Sequence, residues 1–373
     1  EMSASLVGSE MCIRDRAMSV NKSGRTIQAT RKVTAKTILL RWETMLVFLF
    51  LAVNAMNIAI SPNYLNAYNL FTNVNSFLVK GMVALPMAYI LLLGEIDLSV
   101  GSTVCLAATI LGIVYNATGS AVLGILAALA VGLACGVING VILTQFPELA
   151  PMIVTLATMT LFRGISMKIL GDTSTSGMRD VAWFGQLYEA RLGVVPYLFL
   201  LFCLLAVVFG LVMHRTVYGR HMFAVGTNRL AAEYAAVNVH RVRMIAYSVT
   251  GLMCGLAAVF YCSWMGSVKS NVAEGYELEA ISMCVLGGVS TAGGKGSFPG
   301  VIIAIFIVGL LRYGLGLINV NTQTIRIIIG AMLILAVMLP NLGLERLFRK
   351  RAKKQDALSL IHISEPTRLA LIS

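Results

Sequence analysis

Phe77-Leu78-Val79-Lys80-Gly81-Met82-Val83-Ala84-Leu85-Pro86-Met87-Ala88-Tyr89-Ile90-Leu91-Leu92-Leu93 runs into Gly94-Glu95-Ile96-Asp97-Leu98-Ser99-Val100-Gly101-Ser102, and apolar sequence resumes from Thr103 to Tyr115. The flanking runs are long and apolar enough for membrane helices. Two carboxylates with flanking glycines between them are expensive in lipid, which offers freed backbone groups no partner. Such a break belongs where the chain lines a cavity or emerges at the membrane surface. The third helix starts just beyond it, so Asp97 or Ser99 can accept hydrogen bonds from its first free amides. A proton or cation relay through Glu95 and Asp97 is the competing use of intramembrane carboxylates.

The rest of the chain has the same character. Of its 373 residues 58% are hydrophobic and only 12% charged, with a mean hydropathy of +0.82. A soluble domain carries about 25% charge, so the chain is an all-α integral membrane protein. Its apolar runs are continuous rather than alternating, which excludes a β-barrel. The net charge of +12 is concentrated near the two ends and in residues 214–243. That is the positive-inside pattern and argues for a lipid bilayer, not nucleic acid, as the partner. Cys105, Cys135, Cys203, Cys254, Cys262 and Cys284 lie in or near apolar runs without a CxxC pair, so they read as small packing residues and no metal site is expected.

Both flanks read as foreign. Glu10-Met11-Cys12-Ile13-Arg14-Asp15-Arg16 and Leu358-Ser359-Leu360-Ile361-His362-Ile363-Ser364-Glu365-Pro366-Thr367-Arg368 are both encodable by transposase-adapter DNA used in library preparation. Residues 1–17 and 358–373 are therefore set aside from fold reasoning. Between them the reading gives a basic cytoplasmic segment 18–37, one transmembrane domain 38–340 and a basic cytoplasmic tail 341–357.

Within that domain the expected spans are 38–60, 77–93, 103–115, 121–143, 152–170, 194–213, 244–264, 280–288, 301–317 and 325–339. A count of about ten puts both termini, 214–243 and the tail on the cytoplasmic side, with 61–75, 171–191 and 267–279 outside. Gly124, Gly132, Gly136 and Gly140 line one face of the fourth span, where helix backbones can approach closely.

Two further segments carry candidate function. Residues 214–243 form the longest internal polar stretch, with Gly219, Arg220, Ala224, Gly226 and Asn228 leading into a short amphipathic helix. Ala231, Ala232, Ala235 and Ala236 give that helix a small-residue face. A second glycine break contains Gly287, Gly288, Gly293, Gly294, Lys295 and Gly296. It is no phosphate loop, because Gly296 follows Lys295 and no strand precedes it. ATP binding by this chain is not expected.

The 94–102 segment resembles the Gly-x-[Ile/Phe]-Asp-[Leu/Ile]-Ser-Val-Gly-Ser signature of permease subunits of bacterial monosaccharide ABC importers. The segment Leu149–Leu156 with Arg163-Gly164, the segment Gly219–Asn228 and the break Leu286–Ser297 resemble further motifs of that family, in the family's order. Glu95 stands where glycine is common, and Ala236 replaces a frequent glycine. The resemblance implies a multi-pass protein of the bacterial cytoplasmic membrane with no cofactor of its own. ATP and Mg²⁺ would be used by separate ABC ATPase subunits docked on residues 214–243. A second permease copy or paralogue would complete the path, and an extracytoplasmic sugar-binding protein would deliver the substrate. The rival is an autonomous secondary sugar transporter driven by an ion gradient, which requires buried ionisable residues near the midplane. Lys80, Arg163, Lys168, Arg312 and Arg326 are all basic, and cations without a buried carboxylate argue against a proton carrier.

Overall fold

Apolar runs of this length satisfy their backbone groups internally only as helices, and helices dominate the computed structural model, which describes residues 42–60, 64 and 66–341. In chain order they are α1 (Trp42–Ile60), α2 (Ala67–Leu92), α3 (Val100–Thr118), α4 (Ala121–Gln145), α5 (Pro151–Leu170), α6 (Ala182–Glu189), α7 (Tyr197–Arg215), α8 (Val217–Thr227), α9 (Arg229–Tyr234), α10 (Val239–Met265), α11 (Tyr276–Leu286), α12 (Phe298–Leu317) and α13 (Thr322–Asn341). A two-residue hairpin pairs β1 (Arg191–Leu192) with β2 (Val195–Pro196). The expected foreign flanks and basic end segments, 1–37 and 342–373, lie outside the described residues.

Among those residues eight helices are long and apolar enough to cross a membrane: α1, α2, α3, α4, α5, α7, α10 and α12. They correspond to eight of the ten expected spans. The expected eighth is α11, whose 11 residues reach roughly 16 Å, about half of a bilayer's apolar core. It ends at Gly287, where the next residue, Gly288, adopts positive φ. The expected tenth is α13, a helix of 20 residues whose apolar part is Gln323–Met332.

The second span begins ten residues earlier than its hydropathy suggests. Asn66 caps α2, its side chain accepting from the Tyr68 amide at 3.0 Å, and the Asn73 side-chain Nδ2 donates to the Asn69 carbonyl at 2.5 Å. Local side-chain bonds keep this asparagine-rich sequence helical. Deeper in α2, every residue from Phe77 to Leu92 is buried except Lys80. α2 is therefore the axis on which α7, α10, α11 and α12 pack.

Glycine sets the closest packing. A Cβ on Gly132 or Gly136 of α4 would strike the backbone of Gly251, and one on Gly251 of α10 would strike the backbone of Gly132 and Gly136. The four-residue glycine spacing on α4 thus meets a matching pair on α10, as small-residue faces do in membrane bundles. Cys105, Cys135, Cys254, Cys262 and Cys284 are free and buried, as packing residues should be.

The loops fall into two groups. The 171–177 loop bridges the 267–275 loop through Thr175 and Val268, while Arg191 donates to Thr72 at 2.9 Å and Asn75 to the Tyr188 carbonyl at 3.2 Å. The second group is the glycine breaks and α8, at the opposite end of α2.

Candidate functional site

Three segments far apart in sequence meet at the C-terminal end of α2. Gly94 has φ +78 and faces the Ala292 carbonyl; Gly293 faces the Gly94 amide and the Gly226 carbonyl; Gly226 faces the Leu92 carbonyl and the Gly294 amide. The Gly294 amide donates to the Leu92 carbonyl at 2.8 Å. The first break, the second break and the end of α8 therefore touch backbone to backbone, without intervening side chains. Gly226 and Gly219 both lie inside α8. They are glycines because of close approach, Gly219 abutting the Val212 and Met213 carbonyls, and not because of positive φ. Gly287 similarly abuts Gly300 and Val301 at the start of α12, and Gly288 (φ +90) lies against the Trp42 ring. Gly296 packs on Val289 and Met213, and Lys295 is exposed.

Beneath this junction lies a buried polar network. Asp97, 3% exposed, accepts from the Ser99 amide at 2.8 Å and the Ser99 hydroxyl at 2.7 Å, an Asx turn that precedes α3. Ser99 is the N-cap residue of α3 but its side chain caps no amide; its oxygen accepts from Asn139 of α4 at 2.8 Å instead. Gly101 leaves room for Glu277 and the Ala273 carbonyl. The expected capping thus becomes a bond between a loop and a neighbouring helix.

Glu95 is not solvated at a membrane edge, as its place between spans suggests. It is buried, with Arg243 Nε 2.6 Å from one carboxylate oxygen and the Tyr247 hydroxyl donating to the other at 2.9 Å. Arg243, 1% exposed, also donates to the Leu143 carbonyl at 2.6 Å. Burial pushes the Glu95 carboxyl above its usual range, with Arg243 opposing, and lifts Asp97 to about 6. Nothing local in the sequence marks Arg243, which reads there as one more basic loop residue.

A second charge cluster overturns the expectation that the bundle's cations lack a buried carboxylate. Glu279 of α11 binds Lys80 of α2 at 2.8 Å and Arg312 of α12 at 2.8 Å. Lys80 also stands 4.9 Å over the Tyr276 ring. Of the three buried carboxylates, Glu95 and Glu279 are matched by cations, and Asp97 is held by the Ser99 amide and hydroxyl. Among the described residues no group of three or more His, Cys, Asp or Glu side chains could hold a metal ion.

Residues 214–243 are mostly helix. Arg220 and Ala224 are exposed on α8, and Asn228, also exposed, caps α9 by accepting from the Ala231 amide at 3.0 Å. α9 closes at Ala236, which has φ +59, with Val237 donating to the Ala232 carbonyl and Ala236 to the Glu233 carbonyl, a Schellman ending. The expected alanine face is divided. Ala232 is buried inside the chain, whereas Ala235 is exposed past the helix end. The outer surface of α9 is instead carried by Leu230, 66% exposed, and Tyr234, 91% exposed.

A profile described as branched-chain amino acid transport system / permease component matches residues 69–337, which include the glycine junction and both charge clusters. The chain belongs to this permease family. The autoinducer 2 import system permease protein LsrD of Klebsiella pneumoniae is 32% identical over 311 residues, covering 82% of this chain and 93% of that protein. LsrD of Escherichia coli K12 is 34% identical, and that of an Enterobacter strain 31%, each over 82% of this chain and 93% and 95% of the relative. No solved structure matches the chain significantly. The permease is thus a multi-pass transport subunit of an ABC importer in the bacterial inner membrane, and not an enzyme.

Proposed function

We propose that this permease forms, with a second permease copy or paralogue, the path for a monosaccharide or similar small sugar delivered by an extracytoplasmic binding protein. Separate ATPase subunits bind ATP and Mg²⁺ and drive it through α8 and α9. The relatives' import role supports the substrate class, and the basic residues of 214–243 support a cytoplasmic position for α8 and α9 and for both termini. The observation that carries the coupling role is the junction of Gly94, Gly226 and Gly293. Movement of α8 by a docked ATPase cannot be absorbed by side chains there, so it passes to the end of α2 and to both glycine breaks. Leu230 and Tyr234 supply the exposed apolar surface for docking.

Reconstitution of the complex in vesicles tests this. Uptake of a labelled sugar should require ATP, the ATPase subunits and the binding protein, and should persist when ion gradients are collapsed. The purified permease alone should hydrolyse no ATP. Uptake by the permease alone, driven by an ion gradient, would replace this reading with the secondary transporter.

A further inference from the structure

α2 is enclosed by protein from Phe77 onward, yet one strip of its surface stays open. Asn69 and Asn73 are half-buried, Ser76 is exposed, and Lys80 is half-buried one turn further on. These residues recur every three or four positions and so share a face of the helix. Beyond Lys80 the same face closes, with Ala84 fully buried. Asn69 to Lys80 covers roughly 16 Å of helix, about half the bilayer core. An open strip of Asn, Asn, Ser and Lys on a membrane helix is unfavourable against lipid and favourable against water.

The strip ends on the Lys80–Glu279–Arg312 cluster. Two cations face one carboxylate, and Glu279 accepts from both. That leaves donors unspent: Arg312 Nε is buried without a partner, and a lysine ammonium has three donors. Arg326 of α13, exposed, is a further positive charge felt by Lys80. The cluster is carried in part by α11, a half-length helix, and broken helices that keep polar groups at mid-depth are where transporters place substrate.

We propose that the polar strip of α2 lines a water-filled vestibule, and that the spare N–H donors of Arg312 and Lys80 at its floor take hydroxyl oxygens of the transported sugar. This rests on the sugar-importer reading above and assigns that reading a contact station within the permease itself. Selectivity would then not be left wholly to the external binding protein.

Membrane vesicles bearing the assembled transporter, with Ser76→Cys or Ala84→Cys in the permease, provide the test. They are treated with a membrane-impermeant thiol reagent, and labelling of the parent chain is subtracted. Ser76→Cys should be modified and Ala84→Cys should not. D-Ribose, D-xylose, D-galactose and L-rhamnose are each added, and whichever one the parent complex imports should slow modification at Ser76→Cys several-fold. Arg312→Lys, which keeps the charge and removes the Nε donor, should abolish that protection while Ser76→Cys stays reactive. An unreactive Ser76→Cys would overturn the vestibule. Reactivity that the imported sugar leaves unchanged would overturn the contact station. If the parent complex imports neither these sugars nor autoinducer 2, the substrate named for its relatives, the sugar-importer reading itself has failed, which uptake reports independently of labelling.

Discussion

Ala236 sits at φ +59, in a backbone region that costs a side-chain-bearing residue roughly 1–2 kcal/mol. Glycine, which has no Cβ, would relieve it. Ala236→Gly should therefore raise the thermal unfolding midpoint of the detergent-solubilised protein, although glycine's looser unfolded state will offset part of the gain. A lowered midpoint would show that the turn is not strained. The other residue at odds with its family has the opposite character. Glu95, the other departure from the motif that the sequence resembles, is held by Arg243 and Tyr247. Glu95→Gln would leave Arg243 buried without a counter-charge, a change that costs on the order of 3–5 kcal/mol, reduced by the bond from Arg243 to the Leu143 carbonyl. Unfolding in denaturant should register that loss, and Glu95→Gln with Arg243→Met should recover much of it. Both departures are visible in the sequence, but their meaning is not. Glu95 and Tyr247 lie 152 positions apart, and no local pattern links residues at that distance.

At the scale of elements, hydropathy locates the eight long helices because the bilayer imposes one length on them. It fails where side chains satisfy the backbone locally. The asparagines at the start of α2 read as loop and are helix. It fails again in 214–243, where a polar, mostly basic sequence reveals the short helix α9 but hides α8. α9 now separates two roles that its alanines blur. Tyr234→Ala should leave folding unchanged and lower the recovery of ATPase subunits in a pull-down, because the ring is almost wholly exposed. Ala232→Leu should instead lower stability by about 1–3 kcal/mol, the usual penalty of overpacking. If Tyr234→Ala retained full ATPase association, α8 would become the docking element. Glycine also divides by context. Gly251→Leu should separate α4 from α10 and reduce the folded yield, while Gly164→Leu, with open space around its Cβ position, should be tolerated; size-exclusion profiles of the two variants would decide.

At the scale of the whole molecule, the order of motifs is plain from the sequence, and their meeting point is not. Gly94, Gly226 and Gly293 read as members of three separate segments, two glycine breaks and the polar stretch 214–243, with nothing local to link them. Only the folded chain brings their backbones together. The grouping of loops fares better, because charge asymmetry reports which ends share a side, and the loops expected outside do touch one another.

The Lys80–Glu279 pair also constrains how the protein is made. The two residues are 199 positions apart, and synthesis proceeds at about 5–20 residues per second, so Lys80 emerges roughly 10–40 s before its counter-charge. During that interval α2, with an unmatched ammonium near its middle, is a poor candidate for release into lipid. It would have to wait beside the insertion machinery, or rest against earlier helices, until α11 arrives. Chains halted after residue 270 and carrying Ala84→Cys should accordingly leave that thiol of α2 open to a membrane-impermeant reagent, whereas chains reaching residue 320 should shield it.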